Sequence, residues 1–586
     1  MEDVKLSKLN EEQRLDKITN WFTDSATWDK DWRDNAEVWY DYYHGNHWTS
    51  EEISALEERG QAVTTYNHIK PIVDSIVGSE RQNRPKITMA ARTLDDQQVA
   101  EAKTKLYDYI QYNTRTDDEL DRMIKDAFVT GRGWLYIYPE VDSVTKIVDL
   151  KHSFIDYRDV FVDSMSKRDD STDSRYIHYA VFTDADIIAA QFKSFKEYSQ
   201  ESIYGFESSS DDKMLWFQNS DRNRVRLINT WYRDENGDTH TVVWVKGQIL
   251  YYKKQPYSTN RFPFVQYSIE RDMENMPYGI VKSMVSAQDE VNKRHSKALH
   301  YMNTKQVLAE EDAFVDVDKA KMTLAKPDGI TMLTDGALAT GKVQIIDNTA
   351  LATTHIQMMG IAKDAMYSLA GLNASYVGQS SQYESAKKAN VSIAQAQNSL
   401  VPILNKLRIA RYELAYITMK LVPDFYSSER TIRLIEPNGQ YAFMPLNTVK
   451  LLDDNTIQRI NDMTTDDVDI IIEDAPRGLN EREEQFNQLM TIQGQTQKPI
   501  DMDILLRYSS IKDKHQLAND IRDSNSKDAR MKQLEDYIGQ LEEQLKKTGG
   551  VIMQKDSQIT QIQTARQVDK EVSKVKEKLN SSINLM

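Results

Sequence analysis

The hydrophobic positions of this chain change period several times, and each change marks a new kind of element. Residues 11–43 are aromatic and helical in pattern. Trp28, Trp32 and Trp39 recur at spacings of four and seven, one stripe of a helix whose plain explanation is core packing. A second apolar segment covers 66–81, a longer helix is predicted over about 95–114, and 117–131 reads as a helix closed by Gly131. A strand is predicted at 134–139. From about 145 to 270 the pattern is β: segments 174–182, 225–233 and 240–253 are rich in β-branched and aromatic residues. Asn236-Gly237, between the last two, predicts a hairpin turn.

After Pro277 and Gly279 the period turns helical. Ile280, Met284, Ala287, Val291, Ala298 and Met302 share one face of a helix about 37 Å long. Residues 305–349 alternate short β-like pieces (313–317, 329–334, 342–347) with turns, a compact insertion between two helices. Helix returns at 350–371, with Ile356, Met359, Ala362, Met366 and Leu369 on one face. The stretch GLNASYVGQSSQY at 371–383 is small and polar, the composition of a mobile loop. The most regular helix follows at 384–422, where apolar residues from Ile393 to Leu421 alternate spacings of three and four over about 58 Å. Pro402 lies inside it and predicts a kink, because proline removes a hydrogen bond and crowds the preceding turn. Strand-like pieces recur at 431–436, 441–444 and 467–473. A helical region is predicted at 475–525, and the tail carries short heptads interrupted at Gly549-Gly550. The fold class is α+β, mainly helical, with several domains.

Composition narrows the chemistry. There are 586 residues and no cysteine, which excludes disulfides, cysteine-zinc sites, iron-sulfur clusters and thiol nucleophiles. The charged N-terminal sequence lacks an apolar signal core, so a secretory leader is not expected, and no apolar run is long enough to span a bilayer. Lys and Arg total 74 against 90 Asp and Glu, a net charge of -16, the opposite of a chain built to grip DNA tightly.

Catalytic motifs are wanting. His44 and His47 are a close pair without an acidic third ligand, Gly131-Arg132-Gly133 follows a helix rather than opening one, and neither GxxxxGK[ST] nor GxSxG occurs. The acidic groups Glu310-Glu311-Asp312, Asp316 with Asp318, and Asp466-Asp467 with Asp469 are the material a metal-dependent nuclease would need, but solvated surface explains them more simply. Lys293, Arg294, Lys297, Lys387 and Lys388 are positions that meet phosphates if their helices line a channel. No enzyme, cofactor or metal is expected.

The order of segments, together with NHIKPIVDSIVGSERQNRP at 67–85, PYGIVKSMVSAQDEVNKRHSKALHYMNTKQ at 277–306, LAGLNASYVGQSSQYESAKKANVSIAQAQNSL at 369–400 and DVDIIIEDAPRGLNEREEQFNQLM at 467–490, resembles the tailed-phage portal, or head-to-tail connector, family, in particular that of short-tailed phages. The resemblance implies a multidomain portal fold: wing at 1–276, stem helix at 277–304, clip at 305–349, second stem helix at 350–371 and tunnel loop at 372–383. A long kinked wing helix at 384–422, wing strands at 423–474, crown at 475–527 and a short C-terminal helical barrel at 528–586 complete it. It also implies a ring of twelve subunits at one capsid vertex of the virion, assembled in the host cytoplasm, that lets double-stranded DNA slide through. Its partners would be the major capsid protein, the terminase and then the tail adaptor, with no membrane. Gln379, Ser380, Ser381, Gln382 and Tyr383 would lie nearest the DNA, with Lys387 and Lys388 beside them. The alternatives are a metal-dependent nuclease, or a coiled-coil virion scaffold without a DNA role.

Overall fold

The structure is a computed structural model that describes residues 5–82, 84–92, 97–195, 224–304, 306–324, 329–346, 348–373, 375–377, 386–435, 441–451, 457–464 and 468–473, with helical pieces at 488–493, 558–564, 566–571 and 573–574. The chain divides into two units, Met1–Ile435 with Tyr441–Ala475, and Glu436–Gln440 with Pro476–Met586. In the second, Ile559, Ile562 and Val568 are exposed on the helical pieces at 558–564 and 566–571. Among the described residues, the strands and the long helices all lie in the first.

The N-terminal arm is two helices rather than one. Helix α1 (Glu11–Trp28) starts in a capping box formed by Asn10 and Gln13 and gives way at Asp29 to α2 (Lys30–His44). Trp32 and Trp39 therefore stay on one buried stripe while Trp28 ends the preceding helix. Helices α3 (Ser50–Glu58) and α4 (Ile69–Gln82), strand β1 (Lys86–Ala91) and helices α5 (Gln97–Thr114) and α6 (Thr116–Thr130) follow. Helix α6 buries Leu120, Met123, Ile124, Ala127, Phe128 and Val129, so apolar contact surrounds it.

Two antiparallel sheets come next. Strands β2 (Arg132–Val141), β3 (Val148–Ile155) and β9 (Phe264–Ser268) form one, in the order β3-β2-β9. The other runs β4-β5-β6-β7-β8, from β4 (Val160–Val162) and β5 (Tyr176–Asp184), past helix α7 (Ala185–Gln191), to β6 (Arg224–Arg233), β7 (Thr239–Val245) and β8 (Gln248–Lys254). Its core is completed by α1, whose Trp21 stacks on Tyr176 at 4.8 Å and whose Phe22 packs among Phe161 and Trp244. The hairpin expected at Asn236-Gly237 joins β6 to β7, with Gly237 at φ +85°. The segment 240–253 is not one strand: a second turn at Gly247, φ +82°, folds it into β7 and β8.

Strands β10 (Glu270–Arg271) and β11 (Pro277–Tyr278) lead into helix α8 (Ile280–Asn303). Gly131 caps α6 in the left-handed region, φ +102°, where an added Cβ would stand 2.2 Å from the Tyr278 backbone nitrogen. The Gly131-Arg132-Gly133 sequence thus serves close packing. Next come β12 (Gln306–Ala309), the short helix α9 (Val317–Leu324), which the alternating pattern did not predict, and β13 (Val343–Ile346), paired antiparallel to β12. Helix α10 (Thr349–Leu369) returns, and α11 (Ala386–Phe425) runs 40 residues through the core. It is continuous across Pro402, which lies on the exposed side and leaves the Asn398 carbonyl without its helical partner. Ala396, Leu400, Leu407, Ala410, Leu414, Ile417 and Leu421 are buried as their spacing predicts.

The last strands, β14 (Arg430–Ile435), β15 (Tyr441–Leu446), β16 (Thr448–Leu451) and β17 (Ile457–Ile460), pair in twos. Strand β18 (Val468–Glu473) crosses the chain to pair antiparallel with β1, Lys86 opposite Glu473.

Candidate functional site

The site with functional potential is the helical pair α8 and α10 with the module they carry. Pairing of β12 with β13 sets Gln306 against Ile346, so the end of α8 lies beside the start of α10. The helices cross-brace there: Arg294 Nη1 is 3.4 Å from His355 Nδ1, and Tyr301 stacks on His355 at 5.5 Å between centroids. Burial, followed by the charges of Arg294 and Lys297, holds the His355 pKa below its ordinary value.

The three basic positions of α8 have different fates. Lys293 pairs with Glu52 at 3.1 Å and Asp289 at 3.8 Å. Arg294 pairs with Glu290 at 2.9 Å. Lys297 is exposed and has no ion-pair partner among the described residues. Gln379, Ser380, Ser381, Gln382 and Tyr383 lie outside the described residues, as do the side chains of Lys387 and Lys388, whose backbone forms the first turn of α11. The start of that polar segment is anchored: Asn373 Nδ2 donates to the Ser392 carbonyl at 2.6 Å, and its Oδ1 accepts from the Tyr376 amide at 3.0 Å.

Among its described residues the inserted module, 306–346, has almost no core: the buried side chains are Ala313, Ala320 and Ala337, whereas Val315, Met322, Ile330, Met332 and Leu338 are largely exposed. Four of its acidic residues are engaged locally. Lys342 pairs with Asp312 at 2.6 Å and Glu310 at 3.5 Å, Asp316 caps α9 by accepting from the Lys319 amide at 3.0 Å, and Asp318 pairs with Lys321. Asp469 pairs with Arg92 at 2.7 Å, and 466–467 lie outside the described residues. Among the described residues no group of three or more His, Asp or Glu is placed to hold a metal, and no helix is long and apolar enough to cross a membrane.

The apolar face predicted for α8 is only partly the buried one. Val281, Met284, Val291 and Ala298 are buried, but Met302 is exposed, and the other buried side chains are polar: Gln288, Asn292 and Ser296, one turn apart. These side chains hold an extended segment, 60–68, along the helix. Gln288 Oε1 accepts from the His68 amide at 2.9 Å while its Nε2 donates to the Tyr66 carbonyl at 2.7 Å. Asn292 Oδ1 accepts from the Tyr66 amide at 3.1 Å, and Ser296 donates to the Ala62 carbonyl at 2.7 Å. Uncharged polar residues at i, i+4 and i+8 are the signal in the sequence, one that solvent-facing helix positions also carry. On α10, Ala362 and Met366 are buried as expected, while Ile356 and Leu369, expected on the same face, are exposed, as is Ile361.

His44 and His47 serve packing and hydrogen bonding: His44 stacks on Tyr40, and His47 is fixed between the Tyr42 carbonyl and Asn292.

The described residues thus form a mixed sheet-and-helix body with a long α11, and a small module with exposed apolar side chains borne on a paired α8 and α10. The chain belongs to the phage P22-like portal protein family, whose family model matches residues 19–578. It is similar to the portal protein of Helicobacter pylori bacteriophage KHP30, 22% identical over 428 residues that cover 71% of this chain and 67% of that protein.

Proposed function

We propose that this phage portal chain is one of twelve subunits of a ring at a single capsid vertex of a short-tailed phage, the conduit through which double-stranded DNA is packaged and ejected. In this reading 1–276, 384–422 and 423–474 form the wing, α8 and α10 the stem, 305–349 the clip and 372–383 the tunnel loop. Residues 475–527 form the crown and 528–586 a helical barrel. The clip receives the terminase during packaging and the tail adaptor afterwards.

The exposed apolar surface of the 306–346 module carries the reading. A segment that buries alanines and shows Ile330, Met332 and Leu338 to solvent lacks a core of its own, and neighbouring copies in a ring would supply the missing contacts. The charge agrees. At -16 per subunit the wall repels phosphates, so DNA slides, and sparse positions such as Lys297 give weak, sequence-independent contacts. The subunit has no reaction of its own; ATP hydrolysis belongs to the motor that docks on it.

The test is the mass of the particle purified after co-expression with its capsid and scaffold proteins, with negative-stain images of the same sample. Twelve chains of 67.8 kDa give about 814 kDa and a central hole. A species of one or two chains under those conditions overturns the reading.

A further inference from the structure

The polar stripe of α8 is wired to a histidine. His47 is buried, with its Nε2 2.8 Å from the Tyr42 carbonyl, so that nitrogen carries the proton and donates. Its Nδ1 is then an acceptor, and Asn292 Nδ2 donates to it at 2.7 Å. That bond turns the Asn292 carbonyl toward the strap, where Oδ1 takes the Tyr66 amide at 3.1 Å and Gln288 Nε2 at 3.2 Å. Gln288 is oriented in turn, Oε1 to the His68 amide and Nε2 to the Tyr66 carbonyl. Each amide has one orientation that satisfies all its partners, and the neutral imidazole selects it.

We propose that His47 is a proton-operated latch for the 60–68 strap: protonation at Nδ1 sets an N–H against the Asn292 amide group, the relay loses its only satisfied orientation, and the strap leaves α8. An unmade buried hydrogen bond is costly, and three strap bonds depend on this orientation. Burial keeps the His47 pKa below its ordinary value, so the latch is closed at neutral pH and opens on acidification.

The groups around it are defined. Asp289 of α8 acts directly on the imidazole and accepts from the Tyr42 hydroxyl. Lys293 pairs with Asp289 and with Glu52 of α3. The Tyr42 ring stacks on His47 at 4.8 Å. On the strap side, His295 meets Thr64 at 2.9 Å and stacks against Tyr66, and His68 lies near Lys363. Protonating His68 or His295 as well adds positive charge along the same seam and drives opening in the same direction.

The test is hydrogen–deuterium exchange of the full chain at pH 7 and pH 5, corrected for intrinsic rates, read at the Tyr66 and His68 amides against Ala127 and Phe128 of α6. Strap exchange should accelerate by roughly tenfold per pH unit below the pKa of the released imidazole while the α6 amides stay protected. In Asn292→Asp the carboxylate accepts from the protonated ring and most of the protection should persist at pH 5; in His47→Gln the tenfold-per-unit response should be lost, leaving only the smaller acceleration that His68 and His295 supply. Unchanged wild-type exchange overturns the latch. So does equal acceleration in either variant, or a loss shared by the α6 amides, which would report unfolding of the whole unit.

Discussion

His152 Nε2 stands 2.9 Å from the hydroxyl of Thr418, joining strand β3 to the long helix α11 in an interior where neither group meets water. The other ring nitrogen meets Thr116 at 2.8 Å. His178 is similarly enclosed, 2.7 Å from Thr230. Burial holds both well below the ordinary value of 6.5, at about 3. The unfolded chain therefore takes up protons that the native state refuses. Their contribution is complete above about pH 6.5 and is lost progressively as pH falls toward 3. Asp126 and Asp159, both raised by burial and by Asp156, act in the opposite sense, so the histidine contribution is isolated by comparison with a variant. In denaturant titrations, the stability advantage of wild type over His152→Gln should shrink by roughly 2 kcal/mol between pH 7 and pH 5. A constant advantage would mean that the imidazole is not buried neutral.

Asp29 is wholly buried between Arg132 and Arg33, 3.3 Å from the latter. Asp29→Asn leaves two guanidinium groups facing a neutral amide and should cost about 3–5 kcal/mol. The exposed pair Lys105–Glu101, at 2.8 Å, is the control: Glu101→Gln should cost about 0.5 kcal/mol or less. Equal costs in urea unfolding would contradict the burial of Asp29.

Gly131→Ala would place a methyl group 2.2 Å from the Tyr278 backbone at a φ of +102°. Backbone must move to admit it, and the loss should reach about 3 kcal/mol or more, seen as a clear drop in Tm. Gly237→Ala, also at positive φ but with nothing within 4 Å, should cost only about 1 kcal/mol.

Ile330→Ser combined with Met332→Ser removes two exposed apolar side chains, so the thermal stability of the isolated chain should change by little, within about 0.5 kcal/mol. The assembled particle should be lost or reduced in mass photometry. An intact ring would show that this surface is not what joins the subunits.

The parts of the fold that sequence made legible are those with local causes. Trp32 and Trp39, the β-branched runs of β5 and β6, the Asn236-Gly237 turn and the buried stripe of α11 all follow from periodicity and turn chemistry. Strand β1 escaped notice because its partner, β18, is almost four hundred residues away, and the pairing of Ile87 with Ile472 leaves no nearby trace. Gln288, Asn292 and Ser296 escaped because a hydrophobic pattern counts amides and hydroxyls as surface, although here they are buried against another part of the backbone. Of the candidate site, Lys293 and Arg294 were visible as charges, but their capture by Glu52 and Glu290 needed the three-dimensional arrangement.

The β1–β18 pairing also sets a schedule for the newborn chain. At translation rates of about 5–20 residues per second, Lys86–Ala91 leaves the ribosome roughly 20–75 seconds before Val468–Glu473 exists to meet it. For that interval the hydrogen-bonding edge of β1 is open to any other strand in the cell. Closure of this unit therefore comes late in synthesis, and a ribosome that stalls before residue 468 releases a chain whose earliest strand has no mate.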